Sequence, residues 1–352
     1  MGSPANFVTI RDGKVTVAYS RNGALEILEI SVFGPEFVTR FLDAWQRLGP
    51  TDEFDDDAEG GLLVDFDRRV LMMFSAHRGT HLRAAYLDAV TRTWPGWQVR
   101  WAYDGIADLM DHAGADSSHL RGKPAEPAAL YWRERTEQLP PHLRDRIEQM
   151  PPRYVVTIGD TQAYGLGWNA VAPWRVGPGL IEQLDPADRI TTAETMPEAG
   201  MHLDPSTRTA GVWSAVQPLH GLAGYWPRLW PGWTLLLWDD RSGEQLQRCA
   251  GSVTFPAAEP LGRARLAESV MMTWSFFVAE DFRRNCRRAY IFRKLVEAAR
   301  ENGWFRAREQ TRITRQELST ALETITGSPW PAPRWPHFKE PRRSGISRLL
   351  RR

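Results

Sequence analysis

Features of extracellular, membrane and zinc-binding proteins are scarce in this sequence. Its 352 residues include two cysteines, Cys249 and Cys286, which are too few for a disulfide framework or a four-cysteine zinc site. No run of about 18 apolar residues is present, although a membrane-spanning helix needs that length. The N-terminus lacks the basic start and apolar core of a signal peptide. We therefore expect a cytoplasmic protein without a membrane span.

The chain also lacks a net charge that would indicate a class of partner. It has 44 lysines and arginines against 43 aspartates and glutamates, so its formal net charge is +1. A chain this close to neutral has no overall field that attracts nucleic acid or membranes. With 42% hydrophobic residues it can form a large core, and its length predicts about two domains.

Known catalytic and cofactor motifs are absent as well. The sequence has no dinucleotide-binding glycine fingerprint, no Walker loop, no His-Glu-x-x-His zinc motif, no nucleophile elbow and no Cys-x-x-Cys. Asp55, Asp57 and Glu59 alternate as ligands of a hard cation do, but the glycine and the terminal glutamate of a calcium loop are missing. We therefore expect neither a metal ion nor a cofactor.

What the sequence does contain is the same αβ unit twice, near residues 7–114 and again near residues 154–251. The tetrapeptide Trp-Pro-Gly-Trp at 94–97 recurs at 230–233. Further residues match in the same order: Glu59, Asp65, Arg69, Ser75 and His81 correspond to Glu198, Asp204, Arg208, Ser214 and His220. One matching tetrapeptide could arise by chance, but matches in one order along the whole unit indicate a duplication.

The hydrophobic pattern within each unit predicts a mixed α+β fold. In the first unit it indicates strands over 7–19 and 25–32, a helix opened by Gly34-Pro35, a hairpin of 62–66 with 70–74, a helix over 80–93 and a strand over 98–103. We therefore predict a tandem duplication of a ferredoxin-like ββαββαβ unit, because the order without its first strand is the ferredoxin-like one. An αββα layered sandwich could use the same elements in another strand order.

The predicted organisation has five parts. These are a first αβ repeat (1–114), a helical, proline-rich linker (115–153), a second αβ repeat (154–256), a helical C-terminal region (257–327) and a basic tail rich in tryptophan and proline (328–352). Within the linker, the pattern predicts helices over 126–138 and 141–149, which paired prolines punctuate.

The repeated tetrapeptide has a structural interpretation. Pro95 cannot continue a helix, and Gly96 can adopt the left-handed turn that follows one. Trp94 and Trp97 would then pack across the junction between a helix and a strand. The alternative is an exposed tryptophan pair that stacks on a ligand.

Charge is distributed unevenly along the chain. Residues 52–67 hold eight acids and no base, whereas basic residues dominate the C-terminal region. The acidic candidates for contact with a protein partner are Asp55, Asp56, Asp57 and Glu59. The basic and aromatic candidates for contact with a protein or a nucleic acid are Arg283, Arg284, Arg287, Arg288, Trp330, Trp335, Arg342 and Arg343. Arginines attract phosphates and tryptophans stack on bases, but both stretches could equally be solvated surfaces.

Four residues are candidates for catalysis because the repeat duplicates them: Asp65, His81, Asp204 and His220. Asp65 and Asp204 could act as acid and base if the two units met around a pseudo-twofold axis. The simpler interpretation is an ion pair across each hairpin, with Arg69 and Arg208 as the partners.

Three classes of function remain open after these observations. The first is a binding or regulatory protein that engages a macromolecular partner through a charged surface. The second is an enzyme with a pocket between the two repeats, built from dispersed Asp, His and Arg residues. The third is an immunity-type interaction protein that blocks another protein with its acidic loop. The absence of a recognisable catalytic motif favours binding.

Overall fold

The structure of the chain is a computed structural model. It describes residues 3–46, 50–51, 53–76, 80–121, 127–131, 140–216, 219, 221–256, 259–278, 311 and 313–327. Within these ranges two similar α+β sheet units follow one another, and further helices follow the second unit. The α+β class and the helical C-terminal region therefore agree with the prediction. Among the described helices, none combines the length and the hydrophobicity that crossing a membrane requires.

Unit one is defined as residues 3–121. Its elements are β1 (Ala5–Arg11), β2 (Lys14–Ser20), α1 (Ile27–Ser31), α2 (Pro35–Gln46), β3 (Pro50–Thr51), β4 (Gly60–Asp65), β5 (Val70–Ser75), α3 (Thr80–Thr93), β6 (Gln98–Trp101), α4 (Ile106–His112) and α5 (Ser118–Arg121). A short 3-10 helix, Gly23–Leu25, precedes α1. The helix predicted over 80–93 and the hairpin predicted over 62–74 are confirmed.

Unit two is defined as residues 154–256. It follows α6 (Pro141–Glu148) and contains β7 (Tyr154–Ile158), β8 (Gln162–Leu166), α7 (Leu180–Gln183), β9 (Ala199–Asp204), β10 (Thr209–Ser214), α8 (Leu222–Leu229), β11 (Thr234–Leu237) and α9 (Ser242–Arg248), with 3-10 helices at Pro173–Arg175 and Pro186–Asp188. The helices α10 (Glu259–Val278) and α11 (Arg315–Thr326) come after it.

The two sheets share one strand order. The first runs β3-β2-β1-β4-β5-β6 and the second runs β8-β7-β9-β10-β11, and the two-residue edge strand β3 has as its counterpart an isolated bridge of Tyr164 to Arg189 beside β8. Each sheet is mixed: β1 is antiparallel to β2 and parallel to β4, β4 is antiparallel to β5, and β5 is parallel to β6. The same relationships recur among β7 to β11.

The ferredoxin-like arrangement that the pattern predicted is not observed. A split βαβ unit places another strand between the two parallel strands that a helix connects. Here β1 and β4 are direct neighbours, as are β5 and β6. The predicted strand over 25–32 is instead a 3-10 turn followed by α1. All five residues of α1 are buried, and the period of a short apolar run buried on all sides does not distinguish a helix from a strand.

Backbone details repeat between the units. Gly34 has φ +85°, and a Cβ there would lie 3.0 Å from the carbonyl oxygen of Thr93. Gly177 has φ +87°, and its Cβ would lie 2.8 Å from the carbonyl oxygen of Leu229. Only glycine tolerates both the left-handed backbone and the close approach. The residue that opens this helical segment is therefore constrained identically in both units.

The repeated tryptophans confirm the structural interpretation of the tetrapeptide. Trp94 is 1% exposed and its Nε1 donates to the carbonyl of Ser31 at 2.7 Å. Trp230 is fully buried and its Nε1 donates to the carbonyl of Trp174, also at 2.7 Å. Each ring packs edge-on against the second tryptophan of its tetrapeptide. A buried indole that donates its N–H is a packing element, because its polar group is already satisfied.

The first sheet is covered on both faces. Alternate strand residues such as Phe7 and Leu62 pack in the core that α2, α3, α10 and α11 complete, whereas Val8 and Leu63 pack in the core that contains residues of α4. The residues of α10 and α11 that join the first of these cores are Leu266, Ala267, Val270, Leu318, Ala321, Leu322 and Ile325. The C-terminal helices therefore stabilise unit one rather than standing apart from it.

The linker departs from its prediction in one place. The helix α6 matches the predicted helix over 141–149. Of the helix predicted over 126–138, residues 127–131 are not helical, and residues 126 and 132–138 lie outside the described residues. Leu130 is buried in the core of unit two, where its carbonyl accepts from Val171 at 2.9 Å. Tertiary pairing with unit two therefore overrides the local helical tendency.

Candidate functional site

The predicted catalytic residue Asp65 stabilises a turn. It ends β4 and is 1% exposed. Its Oδ2 lies 2.9 Å from Nε2 of His112, and its Oδ1 accepts the backbone N–H of Arg68 at 2.9 Å. Arg68 also approaches the carboxylate at 3.9 Å, in the position expected for Arg69. The carboxylate of Asp65 is thus engaged by partners that belong to unit one.

The equivalent Asp204 has the same role in unit two. It accepts hydrogen bonds from the hydroxyl groups and backbone N–H groups of Ser206 and Thr207. These bonds lower the pKa of Asp204 to about 2. Among the contacts of the described residues, Asp204 has these turn partners and no ion pair with Arg208 was found. A carboxylate held ionised by its own turn is poorly suited to act as a general acid.

The two aspartates lie at the end of the sheets that is remote from the contact between the units. Asp65 pairs with Val70 at the start of β5, whereas the residues that contact unit two follow the end of β5 and the end of β6. A six-residue strand spans roughly 20 Å. Neither aspartate lies at the contact between the units, so the pairing of Asp65 and Asp204 as acid and base stays a prediction that this placement does not support.

Several candidates lie outside the described residues. Only the backbone of His81 is described, as part of α3, and His220 is not described. The same holds for all the basic and aromatic candidates of the C-terminal region: Arg283, Arg284, Arg287, Arg288, Trp330, Trp335, Arg342 and Arg343. The roles assigned to these residues stay predictions.

The acidic loop, residues 53–59, is anchored by a buried amide. Asn6 is fully buried, and its side chain donates to the carbonyl of Asp55 at 3.0 Å and accepts the N–H of Asp55 at 3.1 Å. Oδ1 of Asp55 in turn accepts the N–H of Asp57 at 3.1 Å. This anchoring leaves Asp56 and Asp57 exposed.

A second acidic segment lies against this loop. Nε2 of His119 is 2.8 Å from Oδ2 of Asp56, which joins the loop to α5. Arg121, at the end of α5, pairs with three aspartates of the preceding segment, at 2.6, 3.0 and 2.6 Å. We define the acidic face as Asp55, Asp56, Asp57, Asp104, Asp108, Asp111 and Asp116. Arg121 is the one lysine or arginine in residues 53–59 and 104–121.

Hydrogen bonds favour the ionised form of two exposed carboxylates in this face. Backbone and side-chain hydrogen bonds from Ser118 lower the pKa of Asp116. Burial raises the pKa of Asp111, but hydrogen bonds from Ser117 and Arg121 outweigh it and the net shift is downward. Burial raises the pKa of Asp108. Asp111, Asp116 and Arg121 line an open depression of about 530 Å³.

The two units contact each other through a buried arginine. Arg83 of α3 is 1% exposed; its Nη1 donates to the carbonyl of Ala215 at 3.0 Å, and its Nη2 lies 2.7 Å from Oδ2 of Asp240. The hydroxyl of Tyr103 donates to the other oxygen of Asp240 at 3.1 Å. Burial lowers the pKa of Arg83 to about 10, so the guanidinium remains charged at neutral pH.

In a second contact between the units, the donor belongs to unit two and the acceptor to unit one. Oδ1 of Asp104 accepts the backbone N–H of Gly221, the residue before α8, at 3.0 Å. Gly221 has φ +67°, and a Cβ there would lie 2.7 Å from the Cβ of Arg121. Both the backbone conformation and the close packing therefore require glycine.

Unit two contains a buried polar network that unit one lacks. Gln245 is fully buried; it accepts from Nε1 of Trp213 at 2.6 Å and donates to Oγ1 of Thr157 at 3.1 Å. Thr157 also lies 2.9 Å from Nδ1 of His202. The positions in unit one that correspond to Gln245, Trp213 and His202 hold Leu109, Phe74 and Leu63. Each of these three is buried in an apolar core.

Among the described residues, no group of three or more His, Cys, Asp or Glu side chains is placed to hold a metal ion.

The sequence reasoning missed the residues that join the units, which are Arg83, Tyr103, Asp104, Arg121 and Asp240. A signal existed for the two aspartates, because each lies seven residues after the second tryptophan of its tetrapeptide. No such signal marked Arg83, whose equivalent position holds Leu222.

Comparisons with protein-family models, curated proteins and solved structures find no significant match to the chain.

Proposed function

We propose that this is a binding protein that engages a cationic segment of a protein partner through the acidic face. The contact between Asp56 and His119 carries this proposal, because it joins two acidic stretches that are far apart in sequence. Exposed carboxylates from both stretches then belong to one surface. Asp57 contributes from the loop, and Asp111 and Asp116 contribute from the second stretch.

The charge balance of the acidic face supports attraction of a cation. Its one arginine, Arg121, is already paired with Asp104, Asp108 and Asp111. Asp57 and Asp116 are exposed and form no ion pair with another described residue, so they present negative charge to solvent. Such a surface steers a positively charged partner toward it and disfavours partners of like charge.

The shape of the face favours a polypeptide segment over a small molecule. The depression beside Asp111 and Asp116 is wide and open, whereas small-molecule sites are concave pockets that bury most of the ligand. An arginine-rich segment suits these residues, because the guanidinium fork matches a carboxylate through two parallel hydrogen bonds. An immunity-type role is one form of this proposal, in which the partner's own basic site is covered.

The enzyme alternative has less support. It required a deep pocket between the two units. The crevice between their described residues has a volume of about 10 Å³, which is room for roughly one water molecule. This crevice has no room for a substrate.

We also infer that the two units arose by tandem duplication and that the acidic face is a specialisation of the first. Asp56 and Asp57 correspond to Thr195 and Met196 in the second unit, so this charge is not part of the shared scaffold. We place the encounter in the cytoplasm. Cys249, the cysteine that the structure describes, is buried and free, which suits a reducing compartment.

The test compares two triple variants that each remove three negative charges. D56N/D57N/D116N neutralises the acidic face, and asparagine retains the capping ability of aspartate at position 116. E36Q/E182Q/E194Q neutralises three exposed glutamates outside the face. The probe is a fluorescein-labelled deca-arginine peptide, and its binding is followed by fluorescence anisotropy at low and at high salt. Urea unfolding verifies that both variants are folded.

We expect the wild type to bind the peptide and D56N/D57N/D116N to bind it about tenfold more weakly, with the matched variant close to wild type. Equal weakening in both variants would show that only net charge matters, and absence of wild-type binding would also reject the proposal. A parallel titration with single-stranded DNA covers the other partner class. Tight, steeply salt-dependent DNA binding would favour the basic C-terminal candidates instead.

A further inference from the structure

The guanidinium of Arg83 is not fully satisfied by protein atoms. Its Nη1 donates to Ala215, and its Nη2 approaches Asp240 as an ion pair without the alignment of a hydrogen bond. Its Nε is buried and has no hydrogen-bond partner in the described part of the chain. A buried N–H of a charged group ordinarily has an acceptor, which is either a protein atom or an ordered water molecule.

The unpaired Nε belongs to a residue that lines the crevice between the units. Phe74, Trp101 and Tyr103 of unit one line this crevice on one side, and residues 214–216 of unit two line it on the other. The rings of Trp101 and Tyr103 lie 5.1 and 5.4 Å from Cζ of Arg83. Aromatic rings at these distances satisfy the charge of the guanidinium by cation–π attraction but do not accept the in-plane Nε–H.

We propose that this crevice is a binding site for one water molecule, which accepts the Nε–H of Arg83 and lies at the joint between the two units. The volume of about 10 Å³ admits one water molecule and nothing larger. The Asp240 carboxylate supplies an acceptor for a hydrogen of the water, since it lies against the same guanidinium.

The charge at the site selects water over an anion. Asp240 already neutralises Arg83, so a second negative group would be buried next to a carboxylate without a cation of its own. The site also belongs to one side of the interface only. The position in unit two that corresponds to Arg83 is Leu222, which is 1% exposed and carries no donor. The proposed water site is therefore specific to the Arg83 side of the joint.

The test uses the full-length, ¹⁵N-labelled protein. The Nε–Hε signal of Arg83 is assigned by its loss in R83K. A rotating-frame Overhauser experiment then asks whether Hε has a cross-peak to water whose sign reports proximity rather than chemical exchange. We expect this cross-peak in the wild type. An assigned Hε signal without it overturns the proposal.

Two further measurements sharpen the result. A102V adds two methyl groups at a residue that lines the crevice, and we expect it to abolish the water cross-peak while Hε remains visible. A107V adds the same groups at a buried residue of α4 that does not line it, and we expect the cross-peak to persist. A cross-peak that survives A102V, or a saturable shift of Hε on titration with formate, contradicts a site for one water molecule. The wild-type spectrum decides the question alone if A102V does not fold.

Discussion

Asp104 and Asp240 occupy equivalent positions in the two units, and each accepts a hydrogen bond from the other unit. Asp104 accepts from Gly221 of unit two, and Asp240 accepts from Tyr103 of unit one. The same loop is thus used twice, as in an isologous interface between identical subunits. The two contacts differ in the cation that pairs with each aspartate: Arg83, which pairs with Asp240 from the other unit, is buried, whereas Arg121, which pairs with Asp104 from the same unit, is half-buried.

The first prediction concerns the buried ion pair. D240N removes the charge that compensates Arg83 but keeps the shape of the side chain. We expect it to lower the free energy of unfolding by about 2 kcal/mol, because a buried guanidinium then lacks its counter-ion. Urea unfolding followed by tryptophan fluorescence measures this.

The control for D240N is D88N, which removes an exposed helical pair with Arg92 and a longer contact of 3.7 Å with Arg263. We expect a loss of about 0.5 kcal/mol or less for it. Equal losses in the two variants would mean that the Arg83–Asp240 contact does not hold the units together.

The second prediction concerns two glycines of unit two. A Cβ at Gly211 would lie 1.8 Å from the ring of Trp238, which is 4% exposed. We expect G211A to destabilise by about 3 kcal/mol, since the buried indole would have to move. Gly224 lies exposed inside α8 with nothing within 4 Å of its Cβ position. We expect G224A to stabilise by about 0.7 kcal/mol. Thermal unfolding midpoints that moved in the same direction for G211A and G224A would contradict this pair of predictions.

The third prediction uses the equivalence of the tetrapeptides. W94F and W230F each delete an indole N–H that donates to a buried carbonyl. We expect each to cost about 2 kcal/mol, with similar values for both, because an unpaired carbonyl and a small cavity remain. The matched control W168F alters a tryptophan that is 38% exposed, and we expect it to cost about 0.5 kcal/mol or less. Unequal losses for W94F and W230F would mean that the two positions are not energetically equivalent.

The fourth prediction concerns pH. Burial, and then the positive charge of Arg248, lower the pKa of His202 below its ordinary value of 6.5. Just below that value the unfolded chain binds the proton and the folded protein does not. The stability that a neutral His202 contributes is therefore present above pH 6.5 and is lost as the pH falls toward the folded pKa.

H202L tests this, and leucine is the residue at the equivalent position of unit one. We expect the unfolding free energy of H202L to fall less than that of the wild type between about pH 7.5 and about pH 5.5. H142L removes an exposed histidine of α6 and serves as the control. An identical pH dependence in the wild type and H202L would show that His202 does not contribute to it.

Local chemistry in the sequence determined the similar units and most of their elements. The helix over 80–93, the hairpin between β4 and β5 and the burial of Trp94 and Trp230 follow from hydrophobic period, turn residues and the repeated tetrapeptide. These signals are local, because a helix or hairpin is specified by residues a few positions apart. The anchored acidic loop was visible as a run of aspartates, but the segment that completes the acidic face was not.

Only the tertiary structure decided how these elements combine. It placed β1 beside β4 where a ferredoxin-like order was predicted, formed a helix from the buried run 27–31, and turned Asp65 and Asp204 into turn-stabilising residues. It also joined Arg83 to Asp240 across more than a hundred residues of chain. The physical reason is that strand order and burial of a charge depend on partners distant in sequence. Local periodicity carries no information about those partners.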